Sequence, residues 1–318
     1  MQKKTISDFL ETDQERTRFE RIPVAIFPEA NEASIMVARE IMALILEKQK
    51  NGDPCVLGLP TGSTPQGVYE ELVRMHREEG LSFENVVTFN TDEYYPMDPE
   101  KLQSYMRFMR EHLFDHIDIN PKNIHIPDGT LPRDKVARFC IDYEEKIRAA
   151  GGIDLQILGI GRTGHIGFNE PGSYKESKTR LIMLDTMTMS DAASDFFGAE
   201  NVPRRAITMG IRTFLSAKKI ILMAFGEGKA NVIKQTVEGP ISEAVPASFL
   251  QEHPDAMVIV GAAAAAELTR IKTPWLVGEC QWTDRMIRKA TVWLCQKVNK
   301  PILKLTKRDY NDNGMGTL

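Results

Sequence analysis

The sequence predicts an α/β fold: an open, doubly wound, mainly parallel sheet with helices on both faces (Rossmann-like), followed by a C-terminal helical extension. Three observations carry this. Short continuous runs of Val, Ile and Leu recur along the chain, as at 56–59, 86–89, 220–225 and 257–260. Such runs mark strands buried on both faces, because a strand with one wet face alternates apolar and polar residues. Amphipathic segments lie between them, and several runs end in glycine-rich turns, the rhythm of a β–α alternation.

Taken in order, residues 24–27 form the first strand. Residues 32–50 form a helix, with Ile35, Met36, Ala38, Ile41, Met42, Leu44 and Ile45 on its apolar side and Asn51-Gly52 as its stop. A strand at 56–59 leads to a helix at 65–76, whose Val68, Tyr69, Leu72 and Val73 share one face. Further strands follow at 86–89, 154–160, 220–225 and 257–260, and helices at 229–237 and 262–270. Residues 171–205 are rich in Gly, Ser, Thr and Asp with weak periodicity, which suits a mobile lid. Beyond 272 the spacing predicts a helix over 283–298 and then a polar tail through Asn311, Asp312, Asn313 and Gly314, a frayed end or the start of a linker. The chain therefore divides into a main domain, 1–272, and a C-terminal helix and tail, 273–318.

Bulk properties narrow the function. With 318 residues, 42% hydrophobic and 26% charged, the chain has the composition of a soluble globular protein. A net charge of −4 gives no basic surface for nucleic acid. The longest apolar run, 256–266, is 11 residues and too short to cross a membrane. The start, Met1-Gln2-Lys3-Lys4, has no apolar leader behind it. Cys55, Cys140, Cys280 and Cys295 stand far apart without CxxC or Cys/His spacing, so neither a disulfide framework nor a metal site is expected. Reduced thiols point to the cytoplasm.

Four strand ends carry chemistry. After 57–59 comes Pro60-Thr61-Gly62-Ser63-Thr64-Pro65, with Pro65 expected at the first position of a helix. Free N–H groups at that helix start, with the hydroxyls of Thr61, Ser63 and Thr64, suit an anion. The Gly-Lys-Ser/Thr of a nucleotide-binding P-loop is missing, and an ordinary turn capped by Thr64 is the bland alternative. After 86–89 come Asp92 and Glu93, which alone read as a solvated acidic turn; at that ligand-binding edge adjacent side chains diverge, and one carboxylate is expected to face the site as a general base. After 154–160 comes Gly161-Arg162-Thr163-Gly164-His165, with Glu170 five residues on, an imidazole and a carboxylate fit for proton transfer near neutral pH, with a structural turn histidine as the bland alternative. Gly159, Gly161 and Gly164 also match a dinucleotide fingerprint, and Asp185 lies near the ribose-binding distance. That reading needs a helix where Pro171-Gly172 leaves barely two turns. After 220–225 comes Lys229 at another helix start, a complement to phosphate or simply a surface lysine. Jointly the set suits a phosphorylated small molecule undergoing proton transfers.

Together these segments resemble the glucosamine-6-phosphate deaminase/isomerase family. The matching pieces are 57–65 (LGLPTGSTP), 89–95 (FNTDEYY), 104–119, 158–173 (LGIGRTGHIGFNEPGS), 206–211 and the 228–240 pattern, in order over roughly residues 20–270. The resemblance implies conversion of glucosamine 6-phosphate and water to fructose 6-phosphate and ammonia, with no metal or organic cofactor. It implies that Asp92 carries a proton from C2 to C1 and that His165, oriented by Glu170, opens the sugar ring. It also implies that Thr61, Gly62, Ser63, Thr64 and Lys229 hold the phosphate. The partner is then a small-molecule sugar phosphate, and a homo-oligomer is open because the family includes monomers and hexamers. Three positions depart from the family pattern. Thr163 stands where many members have an Asp that tunes the histidine. Asp195 stands where they have a phosphate-binding Arg, so that Arg162, Arg204, Arg205 or Arg212 substitutes, the loop is shifted, or the substrate differs. Ile182 stands where allosterically activated members have Lys, although Arg180 is kept. A 6-phosphogluconolactonase-like hydrolase and a non-catalytic sugar-phosphate sensor are the competing expectations.

Overall fold

The computed structural model describes residues 5–317. The opening Met1-Gln2-Lys3-Lys4, read above for the lack of a leader, lies outside the described residues. The chain runs β1 (Val24–Phe27), α1 (Ala30–Asn51), β2 (Cys55–Leu59), α2 (Gln66–Glu79), β3 (Val86–Asn90), β4 (Asp92–Tyr95) and α3 (Tyr105–His112). It continues β5 (Ile124–His125), α4 (Val136–Ala149), β6 (Leu155–Gly159), β7 (Arg180–Met183), α5 (Thr186–Ala192), β8 (Arg205–Thr208) and α6 (Ile211–Leu215). Then come β9 (Lys219–Ala224), α7 (Ala230–Glu238), β10 (Ala256–Gly261), α8 (Thr269–Lys272), α9 (Asp284–Val298) and α10 (Lys307–Asn311).

Seven strands form one parallel sheet in the order β1-β10-β9-β6-β2-β3-β5. Alternate side chains explain the continuous apolar runs. Phe27, Leu57, Leu59, Ile157 and Met223 point to one face and pack with Val37 and Ile41 of α1 and Tyr69 and Leu72 of α2. Val24, Val56, Leu158, Leu222 and Val260 point to the other and meet Tyr143 and Ile147 of α4, Phe214 of α6 and Ile233 of α7. The order reverses direction between β2 and β6. Strands β3 and β5 extend the sheet one way from β2, and β9 and β10 extend it the other way from β6, so a crevice opens beyond the carboxyl ends of β2 and β6. Those two strands pair only at Leu57–Leu155 and Gly58–Gln156. A Cβ on Gly58 would fall on the Gln156 side-chain amide, which would have to shift to admit it.

A second sheet, β4-β8-β7, is antiparallel and far less visible in the sequence. Its strands are four residues each and mix charged with apolar residues. Thr91 joins the two sheets: its N–H donates to the Leu59 carbonyl (3.1 Å), and its own carbonyl accepts from Met209 N–H (2.8 Å).

Several expectations are corrected. Residues 262–268 form turns, not a helix; only Thr269–Lys272 is helical. The run Ala262-Ala263-Ala264-Ala265-Ala266 favours helix by propensity, but Ala264 and Ala265 are held as fully buried packing against β10. Pro65 is the residue before helix α2 rather than its first residue, and its carbonyl accepts from Val68 and Tyr69. Residues 171–205 contain β7 and α5 rather than loop throughout. The tail beyond 299 is not frayed: Thr306 and Asp309 form a reciprocal cap on α10, and Met315 is fully buried on a cluster with Trp275, Ala290 and Leu294. That folding was hidden because its apolar anchors are single residues set among polar ones.

Candidate active site

The crevice holds a cavity of about 260 Å³, lined by the 60–64 turn, Asp92, Tyr94, Tyr105, Gly161, His165, Gly167, Phe168, Thr188, Asp191 and Lys229 among others. The carboxyl ends of β9, β6, β2 and β3 are consecutive in the sheet and supply Lys229, the His165 turn, the 60–64 turn and Asp92.

At one end lies the turn before α2. Gly62 has φ +91°, a left-handed conformation that favours glycine. Among the described residues, the backbone N–H groups of Thr61, Gly62, Ser63 and Thr64 donate to no other backbone group. They and the positive end of the α2 dipole make a cradle fit for an anion. Lys229 Nζ lies beside it and donates to the Ile160 carbonyl (2.8 Å). Burial lowers the pKa of that ammonium, Asp191 works against the fall, and Arg162 adds to it.

At the other end, Asp92 opens β4 opposite Thr208 of β8. It is 5% exposed, and burial pushes its carboxyl up to about 7, a Thr91 hydroxyl opposing and the Glu93 charge assisting. Glu93 turns the other way. Its carboxylate accepts from Ser104 Oγ (2.9 Å) and from the backbone N–H groups of Tyr94 (2.9 Å), Tyr105 (3.1 Å) and Met106 (3.1 Å), the last two at the start of α3. So of the two carboxylates that the sequence left open, Asp92 faces the cavity and Glu93 caps a helix.

His165 rides on a turn pinned at several points. Its carbonyl accepts from Gly161 N–H (2.9 Å), and Phe168 N–H donates to Thr208 Oγ1 (3.1 Å). Asn169 Nδ2 donates to the Met209 carbonyl (2.8 Å), and its Oδ1 accepts from Arg180 (2.9 Å). The imidazole lies over Gly161, where a Cβ would fall inside the ring. Three groups surround Nδ1: Thr163 Oγ1 at 2.9 Å, Glu170 Oε2 at 3.3 Å and Thr188 Oγ1 at 3.4 Å. Thr163 is thus the nearest partner, and the Glu170 contact is electrostatic, lacking the alignment of a hydrogen bond. Burial raises the Glu170 pKa, but the His165 ring and the Thr188 hydroxyl outweigh it and hold the carboxyl below its ordinary range. Nδ1 is occupied on this side, which leaves Nε2 for a ligand.

All the residues expected to bind or transform a ligand therefore converge here, with Thr163 and Glu170 behind the imidazole rather than on the cavity wall. Sequence reasoning passed over Tyr94 and Tyr105, whose rings pack with Phe168 and Phe196 into an apolar wall, and over Thr188 and Asp191 on α5. The FNTDEYY segment pointed to Tyr94; α5 gave no signal. The substitute cations separate by position. Arg205 stands at the far end of β8, three residues from Thr208 or about 10 Å along the strand, and Arg204 precedes it. Arg212 pairs with Glu176 (2.9 Å). Arg162 pairs with Asp191, Nε to Oδ2 at 3.0 Å. Asp195 does not line the cavity; its carbonyl accepts from Gln103 (3.0 Å). Among the described residues no group of three or more His, Cys, Asp or Glu is placed to hold a metal ion. No helix among them is long and apolar enough to cross a membrane.

A turn with free N–H groups, a buried carboxylate and a supported imidazole meet in the switch-point crevice of a parallel sheet, where α/β proteins bind small-molecule ligands. The comparisons agree and go further. The family model for glucosamine-6-phosphate isomerases and 6-phosphogluconolactonases matches residues 28–259, and the chain belongs to that family. A Bacteroides thetaiotaomicron protein described as glucosamine-6-phosphate deaminase-like is 51% identical over 302 residues, 95% of this chain. This chain spans 46% of that protein's length. The glucosamine-6-phosphate deaminase of Halothermothrix orenii is 50% identical over 213 residues, 67% of this chain and 88% of that one. A solved monomeric glucosamine-6-phosphate deaminase superposes with a TM-score of 0.73 at 40% identity, over 77% of this chain and 99% of that one. The 6-phosphogluconolactonase of Thermotoga maritima, at 24% identity and a TM-score of 0.59, shares the fold.

Proposed function

We propose that this cavity converts glucosamine 6-phosphate and water to fructose 6-phosphate and ammonia. The 61–64 turn and Lys229 bind the phosphate. His165, held at Nδ1 by Thr163 and Glu170, moves a proton at the ring oxygen through Nε2 and opens the sugar. Asp92 takes the proton from C2 and returns it at C1, which turns the aldose into a C2 imine. Water adds to that imine and ammonia leaves. A carboxylate titrating near 7 suits this chemistry, since it is ionised often enough to accept a carbon-bound proton and basic enough to attract one. The reading carries with it a cytoplasmic location, in keeping with four unpaired cysteines.

One observation supports this above all: a buried carboxylate with no ion pair among the described residues and an imidazole line the same small cavity as the anion turn. A coupled ammonia assay across 2-amino and 2-hydroxy hexose 6-phosphates, with 6-phosphogluconolactone in parallel, tests it. Ammonia from glucosamine 6-phosphate alone is expected. Lactone hydrolysis without ammonia release identifies a hydrolase, and binding without turnover identifies a sensor.

A further inference from the structure

A phosphate monoester carries about −1.5 to −2 charges at pH 7, and the cradle opposes it with one lysine and a helix end worth roughly half a charge. Asp191, which lines the same cavity, adds a negative charge of its own. As an isolated group it would repel the ligand. It is not isolated: the Arg162 guanidinium grips its carboxylate through two nitrogens, Nε (3.0 Å to Oδ2) and Nη2. That side-on pairing leaves Nη1 without a hydrogen bond to any described residue, and its two N–H groups are free. Arg162 is also close enough for its charge to act on Lys229. None of the four candidate arginines is itself among the residues lining the cavity, but Arg162 is held by Asp191, which is, whereas Arg212 is held by Glu176, which is not.

We infer that Arg162 is the second phosphate-binding cation of this site, with Asp191 as the positioning residue that aims it. Bound through Nε and Nη2, the guanidinium is a fixed plane, and its outer edge donates to a phosphate oxygen without giving up Asp191. The carboxylate thereby works for the anion it would otherwise repel. Arg162 comes from the His165 turn and Asp191 from α5, so the pair also ties α5 to that turn.

This inference rests on the phosphate reading of the proposed function, and two readouts keep them apart: ammonia release, and calorimetric binding of inorganic phosphate. Arg162→Ala is expected to raise KM for glucosamine 6-phosphate roughly ten- to hundredfold, the loss of one charge-assisted bond, with kcat within about threefold. Phosphate affinity falls by the same factor. Arg162→Lys recovers part of both, since it restores the charge without the fork. Asp191→Asn, which keeps a hydrogen-bonding group, has a smaller effect than Asp191→Ala. If Arg162 only ties α5 down, Arg162→Ala and Asp191→Ala change kcat and KM alike and leave phosphate affinity unchanged, and the inference is overturned. Wild-type protein that binds phosphate in an Arg162-dependent way but releases no ammonia sinks the deaminase reading and leaves this one. Ammonia release with no effect of Arg162 on phosphate affinity does the reverse, and wild type that binds no phosphate overturns this inference, while ammonia release alone decides the deaminase reading.

Discussion

Two carboxylates joined by one peptide bond sit in opposite surroundings. The Glu93 carboxylate lies at the first turn of α3 with four donors on its oxygens, and Asp92 lies at the cavity where, among the described residues, the Thr91 hydroxyl alone supports its charge. Both are at least nine-tenths shielded from solvent. Burial raises the pKa of both, and for Glu93 four hydrogen bonds work against the rise. The difference separates structural from chemical use of a buried acid: a fully bonded carboxylate holds an element in place, whereas an underbonded one is ready to take a proton.

The sharpest way to break this comparison is to neutralise each acid. Asp92→Asn is expected to lower turnover of glucosamine 6-phosphate by about a thousandfold, within the range for loss of a general base, while the fold persists. Gly161→Ala comes next: the added methyl displaces the His165 ring and lowers kcat about a hundredfold by misplacing an acid–base group, with phosphate affinity unchanged. Glu93→Gln, by contrast, strips a charged acceptor from four donors and costs about 3 kcal/mol of stability in urea unfolding. Thr163→Val removes the nearest Nδ1 partner while Glu170 and Thr188 remain, and lowers kcat about tenfold.

Asp92 also predicts two pH effects of known sign. As a base it works deprotonated, so kcat/KM falls as pH drops below about 7. Its folded-state pKa is raised above the ordinary carboxylate value, so between about 4 and 7 the folded chain binds more protons than the unfolded one. Stability from this group is therefore present in acid and lost as pH rises through 7. Asp92→Asn escapes that loss and melts above wild type at pH 8, and the gap closes toward pH 4. Equal melting temperatures at both pH values would show that the acid has a partner after all.

The two sheets explain how much of this was legible. The seven-stranded sheet is buried on both faces, so β1, β2, β3, β6, β9 and β10 stand out as apolar runs and α1, α2, α7 and α9 as periodic stripes. Strands β4, β7 and β8 are short and half polar, and their pairing is long-range: Asp92 meets Thr208 across more than a hundred residues. No local pattern marks such a strand, and the same holds for α5, which brings Thr188 and Asp191 to the cavity. The site residues were legible because each follows a strand at a glycine or hydroxyl-rich turn. Which of Asp92 and Glu93 faces the ligand was not, since that depends on where α3 returns. Nor was the order of the His165 partners, since Thr188 arrives from 23 residues away.

At the centre of this account Asp92 moves the C2 proton of a sugar phosphate whose ring His165 has opened. Solvent deuterium incorporation at C2 of glucosamine 6-phosphate, followed by NMR in D₂O with wild type and Asp92→Asn, tests it most directly. Exchange catalysed by wild type and abolished in the variant is the result predicted. Undiminished exchange and turnover in Asp92→Asn would contradict it.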